Sequence, residues 1–170
     1  QLTYTKSSST GWKITAIDMT GVLPTATSSA VIVQPAPATK LVITSAEPTT
    51  ITAGQYSTIT VQLQDVYGNP INTTASLSLN LSSDSSEGKF YSDLAGTNQI
   101  TSISIDANSS QTSFYYKDTK AGTHKITVQD SSYAQATQQI TVNPATASKL
   151  QIIAPTSAVV GTPFNVTVYV

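Results

Sequence analysis

Between residues 56 and 64 the chain alternates: Ile59, Val61 and Leu63 fall on one side, Thr58, Thr60 and Gln62 on the other. A period of two in β-branched residues is the mark of a half-buried strand. The same alternation returns at Leu77, Leu79 and Leu81, at Ile103 and Ile105, and at Phe114 and Tyr116. It returns again at Ile126 and Val128 and at Ile140 and Val142, and residues 40–44 (KLVIT) make a first strand. No stretch carries the 3.6-residue period of an amphipathic helix. Seven or so short strands separated by turn residues predict an all-β, antiparallel sandwich. Its expected core is Leu41, Ile43, Ile59, Val61, Leu63, Leu77, Leu79, Phe114, Tyr116, Ile126, Val128, Ile140 and Val142.

The pattern also repeats on a longer scale. PAPATKL (35–41) lies over PATASKL (144–150), placing Lys40 and Lys149 109 residues apart. Upstream, Val31 and Val33 fall on Ile140 and Val142, GWKIT (11–15) lies over GTHKIT (122–127), and Tyr4 falls near Tyr116. Downstream, Ile59, Val61 and Leu63 match Val166, Val168 and Val170. Repetition at this period predicts tandem units, each the size of one small domain. The expected limits are 1–37, the end of one unit; 38–146, a whole unit; and 147–170, the start of a third.

Strand 56–64 runs into Asp65, followed by Gly68-Asn69-Pro70. Asp caps turns through backbone amides two residues on, Gly and Asn tolerate positive φ, and Pro ends a ladder. Each residue of LQDVYGNP therefore has a turn-building reason to be present, and a turn is the expected role of Asp65. KLVITSAEPTTITAGQYSTITVQLQDVYGNPIN (40–72), GKFYSDLAGTNQITSISI (88–105) and SFYYKDTKAGTHKITV (113–128) together resemble the immunoglobulin-like repeats of prokaryotic surface-layer and cell-surface proteins. More distantly they resemble invasin/intimin-type adhesin repeats. The resemblance implies immunoglobulin-like sandwiches strung in tandem outside the cell. It implies no single activity and brings no catalytic or binding residues. Some immunoglobulin-like pilus domains join a first-strand lysine to a last-strand asparagine, and Lys40 and Asn143 formally match. Against a bond here, no buried acid is evident between them, and Gln34 occupies the asparagine's place in the preceding copy.

Composition narrows the chemistry. Charged residues are 10% of the chain and the net charge is −1, against about 25% charged in an average domain. No basic stripe is present to neutralise phosphates, so no nucleic-acid partner is expected. No run is long and apolar enough for a membrane span, and no signal-peptide pattern opens the sequence. Cysteine is absent, which removes disulfides and thiolate metal sites. Serine and threonine, 51 of 170 residues, supply solubility instead, as is common in secreted and cell-surface proteins.

His124 is the one histidine, so no triad or multi-histidine metal site is available, and an edge position is expected. The acids lie scattered through turns, with no pair visibly converging as glycosidase chemistry needs. Asp84, Glu87 and Asp93 fall within ten residues of a serine-rich loop, making them weak calcium candidates; no EF-hand-like or nonapeptide spacing accompanies them, and no metal or cofactor is expected. Tyr115, between Phe114 and Tyr116, is expected on the outer face. Asn72, Asn80, Asn108 and Asn165 each begin an N-x-S/T sequon, four of the seven asparagines, and are glycosylation candidates. Alternation points Asn80 and Asn165 to solvent.

These features predict a structural, non-catalytic protein at the extracellular cell surface, its beads building a surface layer, stalk or filament. Its expected partners are other copies of itself, adjacent immunoglobulin-like domains and N-linked glycans. The alternative is an adhesin, or a carbohydrate-binding or spacer module of a secreted enzyme.

Overall fold

The computed structural model describes residues 2–170. All regular elements among them are strands: β1 (Ser8–Trp12), β2 (Thr15–Ala16), β3 (Ala26–Thr27), β4 (Val31–Val33), β5 (Ala38–Glu47), β6 (Thr50–Thr52), β7 (Tyr56–Asp65), β8 (Leu77–Ser83), β9 (Lys89–Tyr91), β10 (Gln99–Ile100), β11 (Ser102–Ile105), β12 (Gln111–Lys117), β13 (Gly122–Gln129), β14 (Ala136–Asn143), β15 (Gln151–Ile153) and β16 (Thr167–Tyr169).

Two five-stranded sheets hold the core, in the orders β10-β9-β12-β7-β5 and β11-β8-β13-β14-β6. This is the sandwich that the alternation predicts, of the immunoglobulin-like kind that the resemblance implies. Strand β5 ends at Glu47, before Pro48, which has no N–H to give a ladder. The chain then crosses to the other sheet, where β6 runs parallel to β14.

Every fully buried apolar residue lies between Leu41 and Val142. Eleven of the thirteen expected core residues are buried. Ile43 and Leu77 are partly buried and pack against the others. The alternation did not reveal Ile51, Phe90 and Ala46: Ile51 and Phe90 sit on strands of three residues, too short to display a period. Phe90 meets Phe114 and Tyr116 at ring separations of 5.9 and 5.3 Å, forming an aromatic centre to the core. Gly88 stays bare for a steric reason, since a Cβ there would lie 2.5 Å from the Tyr116 hydroxyl.

Outside this core the chain forms two-stranded ribbons, β1-β4, β2-β3 and β15-β16. The last repeats the register of the first strands of the sandwich. Val42 faces Gln62 and Ile43 faces Val61 in the β5–β7 pair, while Gln151 faces Tyr169 and Ile152 faces Val168 in the ribbon. The environments differ: Val61 is 0% exposed and its counterpart Val168 54%.

Candidate functional site

Asp65 occupies the last inward position of β7, in the row Ser57, Ile59, Val61, Leu63, Asp65. It is fully buried. A buried carboxylate must be supplied with donors, and the turn after β7 wraps round this one. Oδ1 accepts the amides of Tyr67 (2.9 Å) and Asn69 (2.8 Å). Oδ2 accepts the Asn69 side-chain Nδ2 (2.8 Å) and, from the proline-rich segment, the Ala36 amide (3.0 Å). Gly68 takes a φ of +84°, open to glycine at little cost, to close the turn. Asn69 is itself buried. Its Nδ2 also donates to the Thr5 carbonyl (2.8 Å), and its Oδ1 accepts the Ser7 amide (2.9 Å). The turn expected from the sequence is present, but its acid and asparagine also reach two distant segments.

A second polar cluster lies at the other end of β7. Phe114, Tyr116 and Asp118 continue one inward row, and Tyr116 and Asp118 are both fully buried. The Tyr116 hydroxyl donates to Asp118 Oδ2 (2.7 Å) and lies 3.0 Å from Ser83 Oγ; Asp118 Oδ1 accepts the Lys120 amide (2.8 Å). Burial, with the Asp118 carboxylate adding to it, pushes the phenol well above its ordinary value. His124 is less exposed than an edge residue: its ring is 12% accessible, 3.7 Å from Asp84 and 3.9 Å from Asp118, with Nε2 3.0 Å from the Lys120 carbonyl. Sealed from solvent, the Tyr116–Asp118 pair offers a substrate no route to its oxygens. It pins the strand end.

The calcium candidates are not brought together. Asp84 accepts the Lys125 amide (2.8 Å), Asp93 caps its own turn through the Thr97 and Asn98 amides, and Glu87 is exposed. Those amides hold the Asp93 carboxyl below its ordinary value. Among the described residues no three of His, Cys, Asp and Glu converge. Asn72, Asn80, Asn108 and Asn165 are all exposed. Lys40 lies half-buried in one sheet and Asn143 at the exposed end of β14 in the other. Two acids are buried, Asp65 and Asp118; the signal in the sequence is parity, since each continues an apolar row by one step.

Tyr115 is half-buried instead of open, paired across the strands with Tyr91. Tyr91 in turn meets Tyr56 edge-on at 5.7 Å, and the Lys117 ammonium sits 5.0 Å from the Tyr56 ring. These rings form a patch on the outer face of the first sheet.

The acids give the fold an expected pH dependence. Burial disfavours the charged form of Asp65, but bonds from the Asn69 side chain and from the Asn69, Ala36 and Tyr67 amides outweigh it and hold the pKa at about 2. Asp118 is likewise disfavoured by burial but lowered on balance by the Tyr116 hydroxyl and Lys120 amide. An unfolded aspartate titrates near 3.9, so below that pH the unfolded chain binds more protons than the folded one. The contribution of these two acids is therefore complete above about pH 4 and declines as the pH falls towards 2. Urea midpoints measured from pH 6 to 2 check this; a flat profile contradicts it.

No protein-family model and no curated protein matches the chain. Among solved structures it is similar to a glycosyl hydrolase family 2 member from Bacteroides cellulosilyticus, with 19% identity and a TM-score of 0.51 over 76% of this chain and 18% of that one. A beta-glucuronidase from glycoside hydrolase family 2 matches with 14% identity and a TM-score of 0.52, over 74% of this chain and 13% of the other. Domains 4–9 of the surface layer protein SbsC match with 21% identity and a TM-score of 0.40, over 86% of this chain and 22% of that one. The chain thus spans less than a fifth of either hydrolase. At these identities the likeness concerns the fold alone.

Proposed function

We propose that this chain is a non-catalytic, structural part of an extracellular cell-surface protein, made of tandem immunoglobulin-like units at 1–37, 38–146 and 147–170. Surface layer, stalk and filament are the assemblies such a row of beads serves. The observation that carries the reading is the repeated register: the β15–β16 ribbon sets the same counterparts opposite one another as β5 and β7 do. Val168 stands exposed where its counterpart Val61 is buried, as do Leu150 and Val166 beside the ribbon where Leu41 and Ile59 are buried. Strands equivalent to β8, β13 and β14 would cover them in a unit like 38–146. Hydroxyl-rich surfaces and four exposed sequons support an exported, glycan-bearing chain, with Asn72, Asn80, Asn108 and Asn165 as the carriers.

The second reading is a carbohydrate-binding or spacer module of a secreted enzyme. The patch of Tyr56, Tyr91 and Tyr115 favours it, because partly exposed planar rings on the outer face of a sheet suit sugar stacking.

Small-angle scattering and a glycan array separate the two. Beads in a row give a radius of gyration well above the roughly 15 Å of a compact chain of this length and no saturable glycan binding. A compact particle overturns the tandem reading. Saturable polysaccharide binding, abolished by Tyr91→Ala, turns the assignment to the second. Glycopeptide mass spectrometry of native material tests the sequons, and four bare asparagines end that part.

A further inference from the structure

We infer that Asp65 and Asn69 form an inter-unit clip, through which the turn after β7 grips the backbone of the preceding unit and fixes the angle between neighbours. It rests on the reading above in calling residues 1–37 a unit and in carrying the contact along the repeat.

The division of labour between the two side chains supports this. A turn needs one acceptor for its own amides, and Asp65 Oδ1 already provides it for Tyr67 and Asn69. The second oxygen, Oδ2, is turned outwards to Ala36, 29 residues earlier in the chain. Asn69 goes further. Thr5 O and Ser7 N flank Lys6 just before β1, and the Asn69 carboxamide meets both with one donor and one acceptor. There it contacts backbone atoms alone, so it reads backbone and not sequence. Nδ2 still has a proton for Asp65 Oδ2, so all three groups are held in one network. Asp65 is fully buried and Asn69 4% exposed, so water competes little for these bonds.

The gripped segment is held in turn by its own unit. The Trp12 indole donates to the Lys6 carbonyl (3.3 Å), and the Trp12 ring stacks on Tyr4. An angle set at Asn69 is therefore passed to the β1–β4 ribbon.

The repeat supplies the matching surface. With Tyr4 set over Tyr116, Thr5 and Ser7 fall on Lys117 and Thr119, and Ala36 falls on Ala145. Lys117 pairs with Tyr56, at the opposite end of β7 from Asp65. Ten residues of strand separate clip and surface by about 30 Å. One end of the sandwich carries the clip, and the backbone matching the gripped segment lies at the other, where Lys117 closes β12 between β7 and β9 and Thr119 follows it. This is a head-to-tail contact that propagates along a row. Proline stiffens the 35–37 segment, but stiffness sets no direction; the clip does.

Amide hydrogen exchange and residual dipolar couplings on the whole chain test the clip. In the unchanged protein Ser7 and Ala36 should exchange slowly, and the ribbon and sandwich should share one alignment tensor. Asn69→Ala should speed Ser7 exchange about tenfold and separate the two tensors, while Leu63 and Leu81, bonded within the sandwich, keep their protection. Should Asn69→Ala disturb the turn itself, Ser7→Pro decides. It deletes the donor without touching the sandwich, and should free the ribbon with the core intact. Unprotected Ser7 and Ala36 in the unchanged protein, or one shared tensor surviving Ser7→Pro, would overturn the clip. Neither outcome depends on glycan binding or on particle length, so the clip and the tandem reading can fail separately.

Discussion

Truncating Phe114 to alanine is expected to cost about 3–5 kcal/mol, the range for deleting a large buried aromatic. Phe114 is fully buried, on the strand next to β7, and its ring meets Phe90 edge-on. Phe90 also leans on Tyr116, so the cavity would open in the middle of a three-ring cluster with no solvent path to fill it. Rings fixed between two hydrogen-bonded sheets collapse poorly, which places the cost in the upper half of the range. A fall of roughly 10 °C or more in Tm follows for a unit of this size. Denaturant unfolding is the direct measurement. A loss below 1 kcal/mol would mean that the two sheets do not pack across Phe114 as described.

The second large effect concerns the buried Tyr116–Asp118 pair. Tyr116→Phe is expected to cost about 2–3 kcal/mol, because it strips a hydrogen bond from a carboxylate shut away from water. Asp118→Ala is expected to cost about 2 kcal/mol. The phenol then keeps only its contact with Ser83, and the Lys120 amide, lying in an exposed turn, turns to water. The informative experiment is the double-mutant cycle. With both partners gone neither is stranded, so the combined loss should fall short of the sum by 0.5 kcal/mol or more. Strict additivity would mean that the two groups do not share a bond.

Much of this architecture is legible in the sequence because burial on one face of a strand imposes a period of two. Strand β7 shows it through five consecutive inward positions. The rows around β8, β11, β12, β13 and β14 were found in the same way. Strands β6, β9 and β10 were not, since two or three residues carry no period, and Ile51 and Phe90 were lost from the expected core with them. The acids teach a different lesson. Turn chemistry explained Asp65 locally and correctly, and that explanation hid its parity with Leu63. The same parity links Asp118 to Tyr116. An ionisable group one step beyond an apolar row is placed inwards by the pleat, and its partners then come from wherever the chain returns.

The amino-acid order alone determined the longer strands of the sandwich, their inward faces, the turn at Gly68-Asn69-Pro70 and the 109-residue repeat. These are local or self-comparing properties: side-chain alternation, φ preference and likeness between two stretches of one chain. Tertiary structure alone decided that the Ala36 amide reaches Asp65, that Asn69 meets Thr5 and Ser7, and that Tyr116 seals Asp118. Those contacts join segments far apart in the chain or depend on what the opposite sheet covers. Their geometry follows from how two sheets and a neighbouring ribbon are stacked, and no local pattern records that.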